Sequence, residues 1–242
     1  MIKPHPPPHP YPHSYPFSHV VCIPDGNRRW AQERGVTNVN AYNLCIARLC
    51  ECFRRAFEMG FQYCTVWLIS TKNLYERPND EVIAVFDAIV RCIVRQSLCE
   101  WRTEERILIN IIGEWREILH SRNISHVLRG NPVSPKRSRE IIFDGNRVLT
   151  FLAGFDGPKE TYQALRAIAR HDSNITELPD LDLGIDGLPK PDLWIRTGDQ
   201  TERLIKNEKS SYLAVPTYWP DMNANRFEHC VRTAVTLSSK RK

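Results

Sequence analysis

Two kinds of apolar segment alternate along this chain from His19 onward, and that alternation constrains the fold more than any other feature. "HVVCI" is a short unbroken apolar run, the mark of a strand buried on both faces. "VNAYNLCIARLCECFRRAFEMG" places Leu49, Phe53 and Phe57 at i, i+4 and i+8, one face of a helix, with Gly60 as its stop. "QYCTVWLIS" reads as a strand. "NDEVIAVFDAIVRCIVRQSLCEW" reads as a long helix that Asn79 or Asp80 can cap, with Val82, Phe86, Ile89 and Ile93 as its apolar stripe and Val85, Val90 and Val94 widening it. "RILINIIG" and "RVLTFLAGF" are further strands, "PKETYQALRAIARH" a helix opened by Pro158, and "LWIRTG" a short strand after an acidic loop. A last helix runs from about Asn223 to Leu237. This pattern predicts one α/β domain with a mainly parallel central sheet and helices on both faces.

Residues 1–18 stand apart. "MIKPHPPPHPYPHSYPFS" is rich in proline and histidine and is expected to be a disordered or extended arm. Its His5, His9 and His13 could hold a transition metal, but a polyproline-like arm is the simpler reading. The folded domain is therefore expected over 19–242.

Ligands of parallel sheets sit beyond the carboxyl ends of the strands. The segments there are "PDGNRRW", "STKNLYERP", "GFDGPKE" and "RTGDQTER". They gather Asp25, Arg28, Arg29, Asn73, Arg77, Arg196 and Arg203 on one edge. Arginine forks match phosphate oxygens. Gly26 and Asn27 would offer backbone N–H groups at the start of a helix, and Gly26 lets the backbone come close. An acid repels phosphate, so Asp25 makes sense if Mg2+ bridges it to the phosphate oxygens. The alternative is that Asp25 caps the helix and the arginines are solvated.

The rest of the composition excludes more than it assigns. A formal net charge of +5, from 33 basic and 28 acidic residues, is too mild to imply nucleic acid. No aromatic residues interleave the basic ones as a single-strand platform needs. No run approaches the ~20 apolar residues of a membrane span, and the N-terminus has no signal-peptide core. A cytoplasmic protein is expected. The eight cysteines form no CxxC pair, and the Cys50–Cys52 pair has no nearby histidine, so they read as buried, reduced thiols rather than a zinc site.

The motifs "H-x5-DGN-x-RW", "S-x-x-N…RP", "PDLWIRTG" and "WPD", in that order from His19 to Asp221, resemble the cis-prenyltransferase family, the undecaprenyl diphosphate synthase-like group. The resemblance implies an enzyme that joins isopentenyl diphosphate to an allylic diphosphate with Mg2+, working as a homodimer. It implies that Asp25 holds Mg2+ on the allylic diphosphate and helps it ionise. Gly26, Asn27, Arg28 and Arg29 would grip that diphosphate, with Trp30 beside them. Ser70 and Asn73 would lie near the reacting carbons, Asn73 taking part in proton removal. Arg77, Arg196 and Arg203 would hold the second diphosphate.

The chain departs from the family pattern at several places. Asn38, Ala41 and Tyr42 stand where R-x-x-G-H is usual, and Lys72 precedes Asn73 where glutamate is expected. "GFDGPK" replaces "NYGGR". Ile205 replaces a serine, and a metal-binding glutamate of the C-terminal segment is missing. Lys72, Lys159 or Lys206 could replace lost charge, and Glu202 or Glu208 the lost acid. Three outcomes stay open: a transferase with shifted ligands, an enzyme of irregular coupling or cyclisation, and a catalytically weak partner subunit. The resemblance implies a tunnel for the growing chain; of Val66, Trp67, Leu68 and Ile69 two must face it by strand alternation and none is small, and Phe86 and Ile89 could close it from the facing helix, so a short product, C10 to C20, is expected.

Overall fold

A computed structural model describes residues 16–95, 107–124, 139–141, 147–156, 188–198 and 210–239. Seven strands make one sheet: β1 (His19–Ile23), β2 (Tyr63–Ser70), β3 (Ile107–Ile112), β4 (Arg139–Ile141), β5 (Arg147–Phe155), β6 (Leu193–Thr197) and β7 (Ser211–Val215), in the order β4-β3-β5-β2-β1-β6-β7. Every pairing is parallel except β3 with β4. The expected strands are all present. "SYLAV" joins as a seventh, parallel to β6, rather than standing as an unassigned apolar segment.

Strand β1 is central because nothing in it needs water. All five of its residues are buried. Val20 and Cys22 point into the larger core; Val21 and Ile23 point into a smaller one with Trp194, Leu152 and Phe155. The two-residue period of a strand divides them so.

The described helices are α1 (Asn27–Glu33), α2 (Asn38–Glu58), α3 (Thr71–Glu76), α4 (Asn79–Arg95), α5 (Trp115–Ser121) and α6 (Ala224–Ser239). Apolar side chains of α2 through α6 feed the larger core. Leu49, Phe53 and Phe57 are each buried to 1% exposure or less, as their spacing predicts. Burying one such side chain contributes about 1.5–3 kcal/mol. Gly60, at φ 99°, ends the turn after α2. Helix α4 starts differently from the expectation. The Pro78 carbonyl accepts from Val82 N–H, so Asn79 and Asp80 stand inside the first turn rather than capping it. The helix expected at 158–171 and the end of the long helix at 96–101 lie outside the described residues.

The folded part begins before His19. Phe17 packs on the larger core, and the Ser18 carbonyl accepts from the N–H groups of Gln62 and Tyr63. Cys22, Cys45, Cys52, Cys64 and Cys230 are buried free thiols, as expected, but Cys50 is disulfide-bonded. No described helix is long and apolar enough to cross a membrane.

Candidate active site

The turn after β1 is tied down by its neighbours. Asp25 N–H donates to Thr197 Oγ1 at 3.0 Å, and that hydroxyl donates back to the Asp25 carbonyl at 2.8 Å. Trp219 N–H also donates to the Asp25 carbonyl, at 3.1 Å. Thus β6 and the 3-10 turn Trp219–Asp221 set the backbone on either side of Asp25.

The carboxylate itself is half-buried. Its Oδ1 accepts from Gly26 N–H at 2.7 Å and its Oδ2 from Arg196 at 3.1 Å. It makes no side-chain cap on α1, so the helix-cap alternative fails. Gly26 has φ 91°, and a Cβ there would lie 2.4 Å from Cδ1 of Tyr218. Two independent reasons therefore demand glycine. Asn27 donates to the Pro24 carbonyl at 2.7 Å, while its Oδ1 is buried without a partner among the described residues.

Arg28 and Arg29 are exposed on the first turn of α1. Arg29 donates to the Gly198 carbonyl at 2.7 Å and lies over the Tyr218 ring, 5.3 Å from its centroid. Trp30 points another way: its Nε1 donates to Asp221 at 2.9 Å, and Arg34 covers its ring.

A cavity of about 560 Å³ opens beside this turn. Its lining is of two kinds. Asp25, Gly26, Asn27, Arg28, Arg29, Asn38, Tyr42 and Arg77 are polar or main-chain donors, while Cys45, Ile46, Leu68 and Val85 are apolar. Its size falls within the usual range of small-molecule sites.

Leu68 reaches the cavity on the same side of β2 as Val66, two residues before it. Trp67 pairs with Leu152 and Ile69 with Ala153, leaving Leu68 as the extra residue of a bulge. Alternation holds as far as Leu68 and breaks after it, where Ile69 joins Val66 and Leu68 on the larger core. Trp67 goes to the other face, edge-on to Phe155, and Val66 and Ile69 are core. Phe86 and Ile89 do not line the cavity. They are buried, and Phe86 packs on Trp115 with centroids 5.9 Å apart. The expectation that they close the tunnel is corrected accordingly.

The other expected residues divide. Arg77 lines the same cavity as Asp25 to Arg29, apart from the pairing with Arg196 that the sequence suggested. Arg196 pairs with Asp25 from β6. Ser70, the last residue of β2, caps α3 by accepting from Asn73 N–H in that helix at 3.2 Å, and neither lines the cavity. Lys72 sits 3.9 Å from Glu76. Arg203, Lys159, Lys206, Glu202 and Glu208 lie outside the described residues.

Sequence reading missed Tyr218, Thr197 and Glu81. Thr197 was inside a quoted motif, but only the folded chain shows its hydroxyl on Asp25. Glu81 is buried and binds Asn38 and Tyr42, the two residues that replace family ligands.

The donor set also tests the metal. One half-exposed carboxylate lines the cavity with three arginines, and among the described residues no group of three His, Cys, Asp or Glu side chains could hold a metal. Mg2+ takes one or two carboxylates together with substrate phosphates. Asp25 fits a cation that arrives with a diphosphate.

Comparison with known proteins agrees with this geometry. The family model Prenyltransf, described as "Putative undecaprenyl diphosphate synthase", matches residues 23–237. An isoprenyl transferase of Agrobacterium fabrum is 30% identical over 233 residues, covering 90% of this chain and 89% of that protein. An isoprenyl transferase of Porphyromonas gingivalis is 27% identical over 238 residues, covering 92% and 87%. In fold, the chain is similar to lavandulyl diphosphate synthase from Lavandula x intermedia, solved with dimethylallyl diphosphate, at a TM-score of 0.69 and 20% identity over 90% of this chain and 94% of that one. From its first strand to its last helix, the chain belongs to the undecaprenyl diphosphate synthase family of prenyltransferases.

Proposed function

We propose that this prenyltransferase condenses an allylic diphosphate with isopentenyl diphosphate and releases a short prenyl diphosphate. The observation that carries the proposal is the double lining of the cavity: three arginines and one carboxylate, with Cys45, Ile46, Leu68 and Val85 in the same wall. A diphosphate head on an isoprenoid tail has the same two halves.

Arg28, Arg29 and Arg77 bind and orient the allylic diphosphate, with Gly26 and Asn27 close to its oxygens and Trp30 bracing the helix behind them. Asp25 would hold Mg2+, which when bound offsets the charge that grows on the departing diphosphate. Arg196 and Arg203 are assigned to the second diphosphate. Ser70, at the end of β2, and Asn73, in α3, are assigned to the reacting end of isopentenyl diphosphate, Asn73 to the loss of its proton. The bulged Leu68 limits the tail, which supports a product of C10 to C20. A homodimer follows from the family and is part of the proposal.

A second reading has support of its own. Asn38 and Tyr42 bring no charge to the cavity, and the solved relative holds a C5 allylic diphosphate. Irregular coupling of two small allylic diphosphates would need less grip on a long substrate. One experiment covers both. The protein is incubated with Mg2+ and C5, C10 or C15 allylic diphosphate, each with and without isopentenyl diphosphate, and the products are identified. Chain growth of one or two units only with isopentenyl diphosphate supports the first reading. Coupling without it supports the second. No prenyl transfer from any allylic diphosphate overturns both.

A further inference from the structure

Helices α2 and α4 bring a chain of polar side chains to the cavity wall. Glu81, in the first turn of α4, is only 9% exposed. Both its oxygens are occupied: Asn38 Nδ2 donates to Oε1 at 2.8 Å and the Tyr42 hydroxyl to Oε2 at 2.8 Å. Arg77 NH1 in turn donates to the Tyr42 oxygen at 3.2 Å. The guanidinium lies over the Tyr42 ring, 5.7 Å from its centroid. Arg122 donates to the carbonyls of Leu74 and Arg77, which fixes the turn that carries Arg77. Arg77 Nε is buried and meets no acceptor among the described residues.

The direction of this chain is set by chemistry. A tyrosine hydroxyl has one proton. Glu81 takes it, because a buried carboxylate needs donors. Only lone pairs then face Arg77, so the arginine is held as a donor and cannot turn the hydroxyl around. Burial pushes the Tyr42 phenol above its usual range, which keeps that proton in place. A long arginine side chain otherwise loses much rotamer freedom when it meets a ligand.

We propose that Tyr42 is a positioning residue: anchored on Glu81, it holds the Arg77 guanidinium at the cavity wall before substrate arrives, so that a diphosphate meets an arginine already in place. Tyr42 exchanges no proton in the reaction. This rests on the reading of the cavity as a diphosphate site.

The test is a double-mutant cycle read by calorimetric titration of inorganic diphosphate with Mg2+ present. The proteins are wild type, Tyr42→Phe, Arg77→Ala and the double variant. Tyr42→Phe should bind about tenfold more weakly, the loss of one hydrogen bond to a charged group. In the Arg77→Ala background the same change should have almost no further effect. In turnover, Tyr42→Phe should raise KM for the allylic diphosphate and leave kcat within about twofold. Equal losses in the two backgrounds, or wild-type affinity in Tyr42→Phe, overturn the positioning role alone. A wild-type protein that binds no diphosphate overturns the reading of the cavity and this inference with it. Arg77→Lys gives an answer even if Tyr42→Phe does not fold. It keeps the charge but not the held plane, so it should bind about tenfold more weakly. Wild-type affinity in that variant overturns the proposal.

Discussion

His19 and Asp25, at the two ends of β1 and its following turn, are six residues apart and belong to one motif, yet they do opposite things. At the entering end everything polar is satisfied by the protein. Asp192 accepts from Ser18 N–H, the Ser18 hydroxyl and His19 N–H. The His19 ring lies between the Pro189 carbonyl, 2.7 Å from Nδ1, and Thr65 Oγ1, 2.9 Å from Nε2, with no exposure at all. At the leaving end the protein stops short. Asp25 is half-exposed, Arg28 and Arg29 reach into solvent, and the buried Asn27 Oδ1 has no partner among the described residues. A motif that includes both ends does not say which one works on a substrate. The accounting of polar groups does.

The largest effect that separates the two ends is catalytic. Asp25→Ala should lose more than ~100-fold in turnover and melt near the wild-type temperature. His19→Ala should lose stability instead, with kcat preserved in the fraction that stays folded. A comparable loss of kcat in both variants, at equal folded fraction, would erase the distinction. Full turnover of Asp25→Ala, or of wild type in EDTA, would remove the metal role as well.

Glycines sharpen it next. Gly26 and Gly35 both have positive φ, 91° and 62°, but a Cβ at Gly35 meets nothing within 4 Å. Gly35→Ala should cost about 1–2 kcal/mol, from conformation alone. Gly26→Ala adds a displaced Tyr218 ring and should cost about 3 kcal/mol, seen as a lower melting temperature. Equal costs would mean that Tyr218 yields freely.

The entering end should also show itself in acid. Burial lowers the His19 pKa to about 4, against the smaller opposing effects of the Pro189 carbonyl and Asp192. Below its ordinary value near 6.5 the unfolded chain takes up a proton that the folded chain refuses. Stability is therefore complete above about pH 6.5 and falls as pH drops toward 4, by about 2 kcal/mol at pH 5. Denaturant titrations of wild type and His19→Gln across that range check it. A slope that persists unchanged in the variant would assign the acid sensitivity to other groups.

The smallest effect lies at the tail of the substrate. Leu68→Ala should cost about 1 kcal/mol, because its bulged side chain is only partly buried, and should lengthen the product by one or two C5 units. Phe86→Ala should lower stability without lengthening anything. Product analysis by chromatography decides, and an unchanged length in Leu68→Ala would move the floor of the cavity elsewhere.

Long elements with one clear period were legible in the sequence. Helix α2 and strand β1 fell where their spacing put them, because burial on one face or on two leaves a pattern that twenty or five residues can carry. Short elements were not. Helix α3 has six residues, fewer than two turns, and its one signal is Ser70 three places before Asn73. All five residues of β7 are half-buried, so no alternation marks it. The strand-end motif of the site was legible because its residues are adjacent. Arg77 was legible as a site residue, but its meeting with Tyr42 and Glu81 was not, since that depends on how α2 crosses the start of α4, and no local pattern records it. Leu68 lies on the side of β2 where the two-residue rule puts it, with Val66, and the rule breaks only at Ile69.

The central place of β1 also has a consequence in time. Its partner β6 begins at Leu193, and the hydrogen bonds on Asp25 come from Thr197 and Trp219. During synthesis at ~5–20 residues per second, the first strand leaves the ribosome on the order of 10–30 s before the one that must lie beside it. For that interval its apolar run has β2 as a partner on one edge and nothing on the other. The turn after β1 thus becomes a site only when β6 and Trp219 have been made, and until then the nascent strand is exposed to wrong pairing or in need of a chaperone.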